Sequence, residues 1–143
     1  MFLWDTNILR YFQSGHLILQ QHLQRVSIDE IVLPAIVAAE ALRGRSEFVL
    51  KATPDQLPVA SQQLIETMEL LHNFAILPFD ETASKVLTQL INKVKKQKKR
   101  HADLVIAAMT MAGNYILVTR NQRDFADLLP KRQLVNWIDE PPV

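Results

Sequence analysis

The stretch Phe2-Leu3-Trp4-Asp5-Thr6-Asn7 decides how the rest of the sequence is interpreted. Its three large apolar residues are of the types that fit a half-buried pleated surface, and they predict a short strand. The sequence then turns polar at once, and a carboxylate at the end of a buried strand is costly unless a positive group pairs with it. Taken alone, Asp5 is more often the N-cap of the next helix than a functional group, because such caps are common and active sites are rare.

The composition is typical of a globular protein with one core. The chain has 143 residues, of which 48% are hydrophobic and 22% charged, so we expect a single domain over residues 1–143. The net charge of +1 means that any binding of nucleic acid must come from a local patch. The absence of cysteine excludes disulfides and Cys-ligated zinc, and it is consistent with the cytoplasm. No run approaches the ~20 apolar residues of a membrane helix, so we expect no membrane contact.

Strands and helices alternate along the whole sequence. Apolar runs predict strands at 2–4, 30–33, 75–79, 115–119 and 134–138. Segments with apolar residues at helical spacing fill most of the intervals, and residues 52–60, with two prolines, are expected to form a loop. This alternation predicts an α/β fold whose mostly parallel sheet is covered by helices on both faces. In such folds, ligands bind at the carboxyl ends of the strands.

Several acidic residues are placed where they can reach that edge of the sheet. Asp5 follows the first strand, and Glu40 interrupts an Ala-rich helix after the second. Asp103 lies near the start of a later helix, and Asn121 and Asp124 follow the fourth strand. Carboxylates brought together raise each other's pKa values, and a divalent cation relieves this repulsion. Oxygen ligands without a Cys or His cluster suit Mg²⁺ or Mn²⁺ rather than zinc.

Each of these residues also has an ordinary structural explanation. Asp103 is as well placed to cap its helix as to take part in chemistry. Glu40 alone fits an exposed position on an imperfectly amphipathic helix, and Asn121 with Asp124 fits an Asx-type turn. Only the joint pattern favours a metal site.

Four segments together resemble the PIN domain family, and most of all the VapC-type toxins of bacterial toxin–antitoxin pairs. In order along nearly the whole chain, they are Asp5-Thr6-Asn7, Ala39-Glu40, Asp103 to Ala108, and Val118 to Phe125. Each motif is weak alone, and the four in series are specific. The resemblance implies a three-layer α/β/α sandwich and a ribonuclease that depends on Mg²⁺ or Mn²⁺. It also implies a homodimer that a cognate antitoxin protein holds inactive.

The resemblance assigns roles to particular residues. Asp5, Glu40 and Asp103 match the family's acidic positions, with Asp124 as the fourth, and we expect all four to be both catalytic residues and metal ligands. Neighbouring polar residues are expected to support the site, namely Thr6, Asn7, Thr119 and Asn121. In this role, the carboxylate of Asp5 is expected to point at a cation rather than at backbone N–H groups, which leaves the helix cap to Thr6 or Asn7.

A basic run precedes Asp103. Cations at the end of a helix interact favourably with its dipole, so part of the run is structurally ordinary, and a solvated helix end is more common than a nucleic-acid site. If the chain binds RNA, these cations are candidates for phosphate contacts: Lys95, Lys96, Lys98, Lys99 and Arg100. Arg10, Arg43 and Arg120 are weaker candidates. The run replaces a Gly-containing turn of many relatives, so no substrate preference is carried over.

Two other functions remain open on the sequence. A non-catalytic PIN-like module would bind RNA or a partner protein without metal-dependent cleavage. The presence of all four acids argues against it. A phosphotransfer enzyme of another doubly wound fold would use Asp5 as a nucleophile. Such an enzyme is expected to have a second acid at position 7, where this sequence has Asn7. The three glycines form no phosphate-binding loop or dinucleotide fingerprint.

Overall fold

The computed structural model describes residues 1–143, and its central element is a five-stranded sheet. The strands are β1 (Phe2–Trp4), β2 (Ile31–Pro34), β3 (Ala75–Leu77), β4 (Ile116–Val118) and β5 (Leu134–Val135). Their order in the sheet is β3-β2-β1-β4-β5, and every neighbouring pair is parallel. The predicted α/β fold with a mostly parallel sheet is therefore confirmed.

Seven α-helices connect and cover the strands, as parallel pairing requires. They are α1 (Thr6–Gln13), α2 (Leu17–Leu23), α3 (Ala35–Lys51), α4 (Leu57–Leu71), α5 (Glu81–Val94), α6 (His101–Ala112) and α7 (Gln122–Phe125). Short 3-10 helices lie at Ile28–Glu30 and Lys131–Gln133. The arrangement is the three-layer α/β/α sandwich that the resemblance implied. No helix is both long enough and apolar enough to cross a bilayer.

Strand β1 lies at the centre of the sheet and of the hydrophobic core. Leu3 and Trp4 are fully buried. The Trp4 ring packs against Phe12 and Phe74, with centroids 5.7 and 5.2 Å apart. Aromatic pairs at such distances add to the stabilisation that burial itself supplies. The strand is therefore held firmly on both faces, and so is the position of the residue that follows it.

The topology reverses between β1 and β4. The chain builds β2 and β3 on one side of β1 and then returns to add β4 and β5 on the other side. Trp4 pairs with Val118 in the parallel register, so Asp5 and Thr119 leave adjacent strand ends together. In open α/β sheets, a crevice for ligands forms outside the carboxyl ends of the strands at such a reversal.

Some boundaries differ from the expectations. Residues 57–60, predicted as loop, form the first turn of α4, because Pro58 stands at a position where proline is tolerated. The polar segment after β4 contains a short helix, α7, where only a turn was expected. Asp80 caps α5, since its Oδ1 accepts a hydrogen bond from the Ala83 N–H at 2.8 Å.

Candidate active site

Asp5 stands where β1 ends and α1 begins, and its carboxylate accepts two hydrogen bonds. Oδ1 accepts from the Ile8 N–H at 3.2 Å, which makes Asp5 the N-cap of α1. Oδ2 accepts from Thr119 Oγ1 at 2.5 Å. The expectation that this carboxylate turns away from backbone N–H groups and leaves the cap to Thr6 or Asn7 is therefore wrong. Asp5 is the only residue between the end of β1 and the start of α1, so its carboxylate is the group that reaches the free N–H groups at the start of α1.

Burial raises the pKa of Asp5 above its ordinary value. The residue is only 7% exposed. The loss of solvent is the largest cause of the rise, the hydrogen bonds from Thr119 and Ile8 oppose it, and the charge of Asp103 adds to it. An ionised carboxylate in this position would gain from a cation nearby.

Glu40 lies on α3, and its side chain contacts α1 and the start of α6. Its Oε1 accepts from Thr6 Oγ1 at 2.8 Å, and its Oε2 accepts from Arg100 Nη2 at 3.3 Å. The side chain is 27% exposed. Glu40 is thus held by α1 on one side and by the start of α6 on the other, rather than lying free on the surface of α3.

Asp103 lies in the first turn of α6 but does not cap it, since Arg100 occupies the cap position. Burial raises the pKa of Asp103, and the charges of Asp124 and Glu40 raise it further, while Arg100 and Lys99 lower it. Because the charge of Asp103 also acts on Asp5, all four predicted acids interact through this residue. Asp103 is therefore the electrostatic centre of the cluster.

The segment after β4 supplies the last acid and two supporting residues. Thr119 Oγ1, which donates to Asp5, accepts from the Asn121 N–H at 3.1 Å. The Asp124 N–H donates to the Asn121 carbonyl at 3.0 Å, which closes a tight turn. Asp124 is exposed, and it stands at the margin of the cluster rather than inside it.

One cavity of about 750 Å³ opens at this edge of the sheet. Three of the predicted acids line it, with Thr6, Asn7 and Asn121 beside them, whereas Asp124 does not. Four arginines also line it: Arg10, Arg43, Arg45 and Arg100. Sequence analysis gave Arg45 no role, although its position two residues after Arg43 on the helix of Glu40 was a clue.

The chemistry of the donors suits a hard divalent cation. The candidate ligands are all oxygen atoms, as Mg²⁺ and Mn²⁺ prefer. No group of three or more His, Cys, Asp or Glu side chains is spaced closely enough to form a preformed metal site. Asp5 and Glu40 are instead held by hydroxyl, backbone and guanidinium donors. Because the charges of neighbouring carboxylates add to the raised pKa values of Asp5 and Asp103, a cation among them would relieve that repulsion, and the residues fit a divalent metal.

The predicted basic run meets the cavity only at its last residue. Arg100 lines the cavity, whereas Lys95, Lys96, Lys98 and Lys99 do not. Lys99 Nζ lies 2.9 Å from Asp127 Oδ1 and donates to the Asp124 carbonyl at 3.2 Å. Lys99 therefore ties the loop before α6 to α7 and the turn that follows it.

The sequence model of the PIN domain family matches residues 2–128. The chain belongs to the PIN domain family. This membership confirms the predicted resemblance and excludes the phosphotransfer enzyme of another fold. A comparison with curated protein sequences gives no significant match.

Solved structures similar to this PIN domain include a toxin–antitoxin complex and structures of FitAcB and VapBC-1. FitAcB from Neisseria gonorrhoeae is 25% identical, with a TM-score of 0.73 and coverage of 98% of this chain and 100% of that one. VapBC-1 from nontypeable Haemophilus influenzae is 21% identical, with a TM-score of 0.74 and coverage of 95% and 97%. A toxin–antitoxin complex from Klebsiella pneumoniae is 23% identical, with a TM-score of 0.70 and coverage of 96% and 98%.

Proposed function

We propose that this PIN domain is a divalent-metal-dependent endoribonuclease and the toxin of a toxin–antitoxin pair. The observation that carries the proposal is the convergence of Asp5, Glu40 and Asp103 on one cavity at the topological reversal, with Asp124 acting on Asp103 from its margin. The similarity to toxin–antitoxin complexes supports a cognate antitoxin as partner. A homodimer and a cytoplasmic location belong to the same proposal.

The four acids would hold one or two Mg²⁺ or Mn²⁺ ions, some of them through water. When bound, the metal makes a coordinated water more acidic and stabilises negative charge on phosphate oxygens. Thr119 fixes one oxygen of Asp5, and Thr6 fixes one oxygen of Glu40. These hydroxyl donors set the directions of the carboxylates in advance, which is the role of supporting residues around a metal site.

The remaining polar residues would handle the substrate. Glu40 is the candidate to orient the attacking water, because its carboxylate borders the open cavity and can accept a hydrogen bond from that water. The amides of Asn7 and Asn121 line the same cavity and can donate to phosphate oxygens. Hydrolysis forms a bond from the water oxygen to phosphorus and breaks the bond from phosphorus to the leaving sugar oxygen.

The proposal is tested by cleavage of labelled single-stranded RNA in Mg²⁺ by the wild type, Asp103→Asn and Asp55→Asn. Asp55 is an exposed acid outside the cavity, so its variant controls for the loss of one charge. We expect Asp103→Asn to lose roughly 100-fold or more in rate, Asp55→Asn to keep the wild-type rate, and EDTA to abolish cleavage. Cleavage by folded Asp103→Asn at the wild-type rate in EDTA would contradict the mechanism.

The same assay separates the proposal from its alternative. A non-catalytic PIN-like module would bind the RNA and leave it intact at every Mg²⁺ concentration. RNA binding without cleavage by the wild type would therefore reject the ribonuclease and favour the binding module.

A further inference from the structure

Helices α1 and α3 contact each other and present polar faces to the cavity. Asn7, Arg10 and Gln13 lie three residues apart on α1, so they share one face of that helix. On α3, Glu40 is followed at helical spacing by Arg43 and then by Glu47. The acid cluster is thus continuous with a surface of cations and amides. We call Arg10, Arg43 and Arg45 the arginine wall.

The charges of the arginine wall are largely free of partners. Arg10 is exposed and forms no ion pair within the chain. Arg43 Nε lies 3.7 Å from Glu47 Oε1, but both side chains are mostly exposed, at 78% and 58%, so the pair is weak. Arg45 Nη1 donates to the neutral amide of Gln63 at 2.9 Å, which fixes its direction and leaves its charge uncompensated.

The lysines between residues 93 and 99, which we call the lysine run, lie outside the cavity lining, and two of them also have partners. Lys99 is paired with Asp127, and Lys93 Nζ contacts the Asp127 carbonyl at 3.5 Å. Lys95, Lys96 and Lys98 are exposed but lie outside the cavity lining. The larger concentration of charge in the sequence is therefore not the one that lines the cavity.

Gly44 keeps the arginine wall open. It lies inside α3, between Arg43 and Arg45, and it lines the cavity. A Cβ built on Gly44 would meet no atom within 4 Å. The space beside the arginines is therefore available to a ligand, and a longer side chain at this position would project into it.

We infer that the phosphate backbone of single-stranded RNA crosses the arginine wall to reach the acid cluster, and that the lysine run contributes little to its binding. The class of ligand rests on the proposed ribonuclease function. A polyanion complements the uncompensated arginines, and the amides of Asn7 and Gln13 can donate to phosphates or bases. Only five of the nineteen lining residues are hydrophobic, which gives an apolar peptide segment little to bind. The volume is that of a small-ligand pocket, which suits a few nucleotides rather than a duplex.

The test compares two double variants that each remove two positive charges. Arg10→Gln/Arg43→Gln acts on the arginine wall, and Lys95→Gln/Lys98→Gln is the matched control on the lysine run. The affinity for a short fluorescein-labelled single-stranded RNA is measured by anisotropy in EDTA over a series of salt concentrations. We expect the arginine variant to bind on the order of tenfold more weakly, with a salt slope smaller by about 1.4, and the lysine variant to change less than about twofold.

A second pair of variants tests whether blocking the space beside the arginines, without changing any charge, also weakens RNA binding. Gly44→Gln places a long neutral side chain beside the arginines and should weaken binding, whereas Ser84→Gln, which changes an exposed helical residue outside the cavity, should bind RNA as the wild type does. Equal losses in the arginine and lysine variants, or no loss in the arginine variant, would overturn the inference. A wild type that binds no RNA would overturn it as well.

The outcome is independent of cleavage, because binding is measured without metal. If the arginine variant loses affinity and the wild type does not cleave RNA in Mg²⁺, the binding path stands and the ribonuclease function fails. If the wild type cleaves RNA and the arginine variant binds as tightly as the wild type, the ribonuclease function stands and the binding path fails.

Discussion

Arg100 Nη2 lies 3.3 Å from Glu40 Oε2, so a cation of the chain itself contacts one of the four candidate metal ligands. Arg100 is 68% exposed, and it is the N-cap residue of α6, one turn before Asp103. Its charge also lowers the pKa of Asp103. The guanidinium therefore compensates two of the acids, and it has room to move away from both.

Removing this charge should strengthen metal binding. Arg100→Gln removes a cation that contacts the Glu40 carboxylate and would repel a metal ion. A charge pair about 4 Å apart in a water-rich setting is worth ~1 kcal/mol, so we expect Mn²⁺ to bind about fivefold more tightly. The affinity is measured by titrating the protein with Mn²⁺ while recording the electron paramagnetic resonance signal of the free ion.

The control for Arg100→Gln is Lys98→Gln, which removes an exposed cation of the same loop outside the cavity. A general effect of net charge would shift both variants alike. Equal Mn²⁺ affinities for Arg100→Gln and Lys98→Gln would show that the contact with Glu40 does not control metal binding.

The raised pKa of Asp5 predicts a dependence of stability on pH in the absence of metal. Because burial raises this pKa in the folded state, the folded chain holds its proton to higher pH than the unfolded chain does. The free energy of unfolding therefore falls as pH rises from the unfolded pKa through the folded one, and it stays lower above it. Asp5→Asn keeps an oxygen for the Ile8 N–H and has no charge to desolvate, so it should raise Tm at neutral pH in EDTA.

This gain should shrink as the pH is lowered, since wild-type Asp5 then becomes neutral as well. Thermal unfolding of both proteins over a pH series in EDTA measures the effect. Added Mg²⁺ should raise Tm only in the wild type, because metal binding stabilises the folded state by mass action. An Asp5→Asn variant less stable than the wild type at neutral pH would show that the carboxylate contributes more as a cap than it costs by burial.

Thr119→Val should destabilise the fold and weaken metal binding at the proposed site. The substitution keeps the shape of the side chain but removes the donor to Asp5 and the acceptor for the Asn121 N–H. Buried groups left without partners cost about 1–3 kcal/mol. Loss of a residue that orients a ligand weakens metal binding by about 10- to 100-fold. Chemical denaturation and Mn²⁺ titration measure the two effects separately.

Thr110→Val is the matched control for this variant. Thr110 is also fully buried and does not line the cavity, and its hydroxyl donates to the Ile106 carbonyl within α6. We expect it to lose stability and to keep the Mn²⁺ affinity of the wild type. Equal losses of affinity in both threonine variants would assign the effect to general destabilisation.

Substitution by alanine should change the free energy of unfolding in opposite directions at Gly44 and at Gly113. Gly44→Ala should raise the free energy of unfolding by about 0.5–1 kcal/mol, because Gly44 is inside α3 and its added Cβ meets open space. At Gly113, which ends α6, a Cβ would stand 2.1 Å from the ring of Tyr115, so Gly113→Ala should be destabilising. Denaturant unfolding of both variants measures the difference, and a destabilised Gly44→Ala would show that this position is constrained by something other than helix propensity.

The sequence predicts the framework of the site because that framework is local. Apolar runs that end abruptly in polar residues mark the ends of β1 and β4, and this places Asp5 and Thr119 on one edge. Glu40 is conspicuous because a carboxylate among alanines breaks the apolar face of α3. These features depend on spacing along the chain, which the sequence displays directly.

The contacts that complete the site depend on packing between distant segments. The Thr119–Asp5 hydrogen bond joins residues 114 positions apart, and the Arg100–Glu40 pair joins residues 60 apart. The arginine wall depends on which faces of α1 and α3 turn towards the cavity. Because the positions of Arg10 and Arg45 in the sequence give only weak signals, the dense lysine run was the more obvious candidate for RNA contacts.

The central place of β1 in the sheet has a consequence for synthesis. During synthesis β1 leaves the ribosome before β4, with which it pairs on one side, so this side of the sheet cannot form until residues 116–118 have been made. Pairings so distant in sequence form slowly, because a long loop must close first. The carboxylate of Asp5 gains its Thr119 partner at the same late step. A nascent or truncated chain that ends before β4 therefore carries three of the four candidate acids without the assembled site.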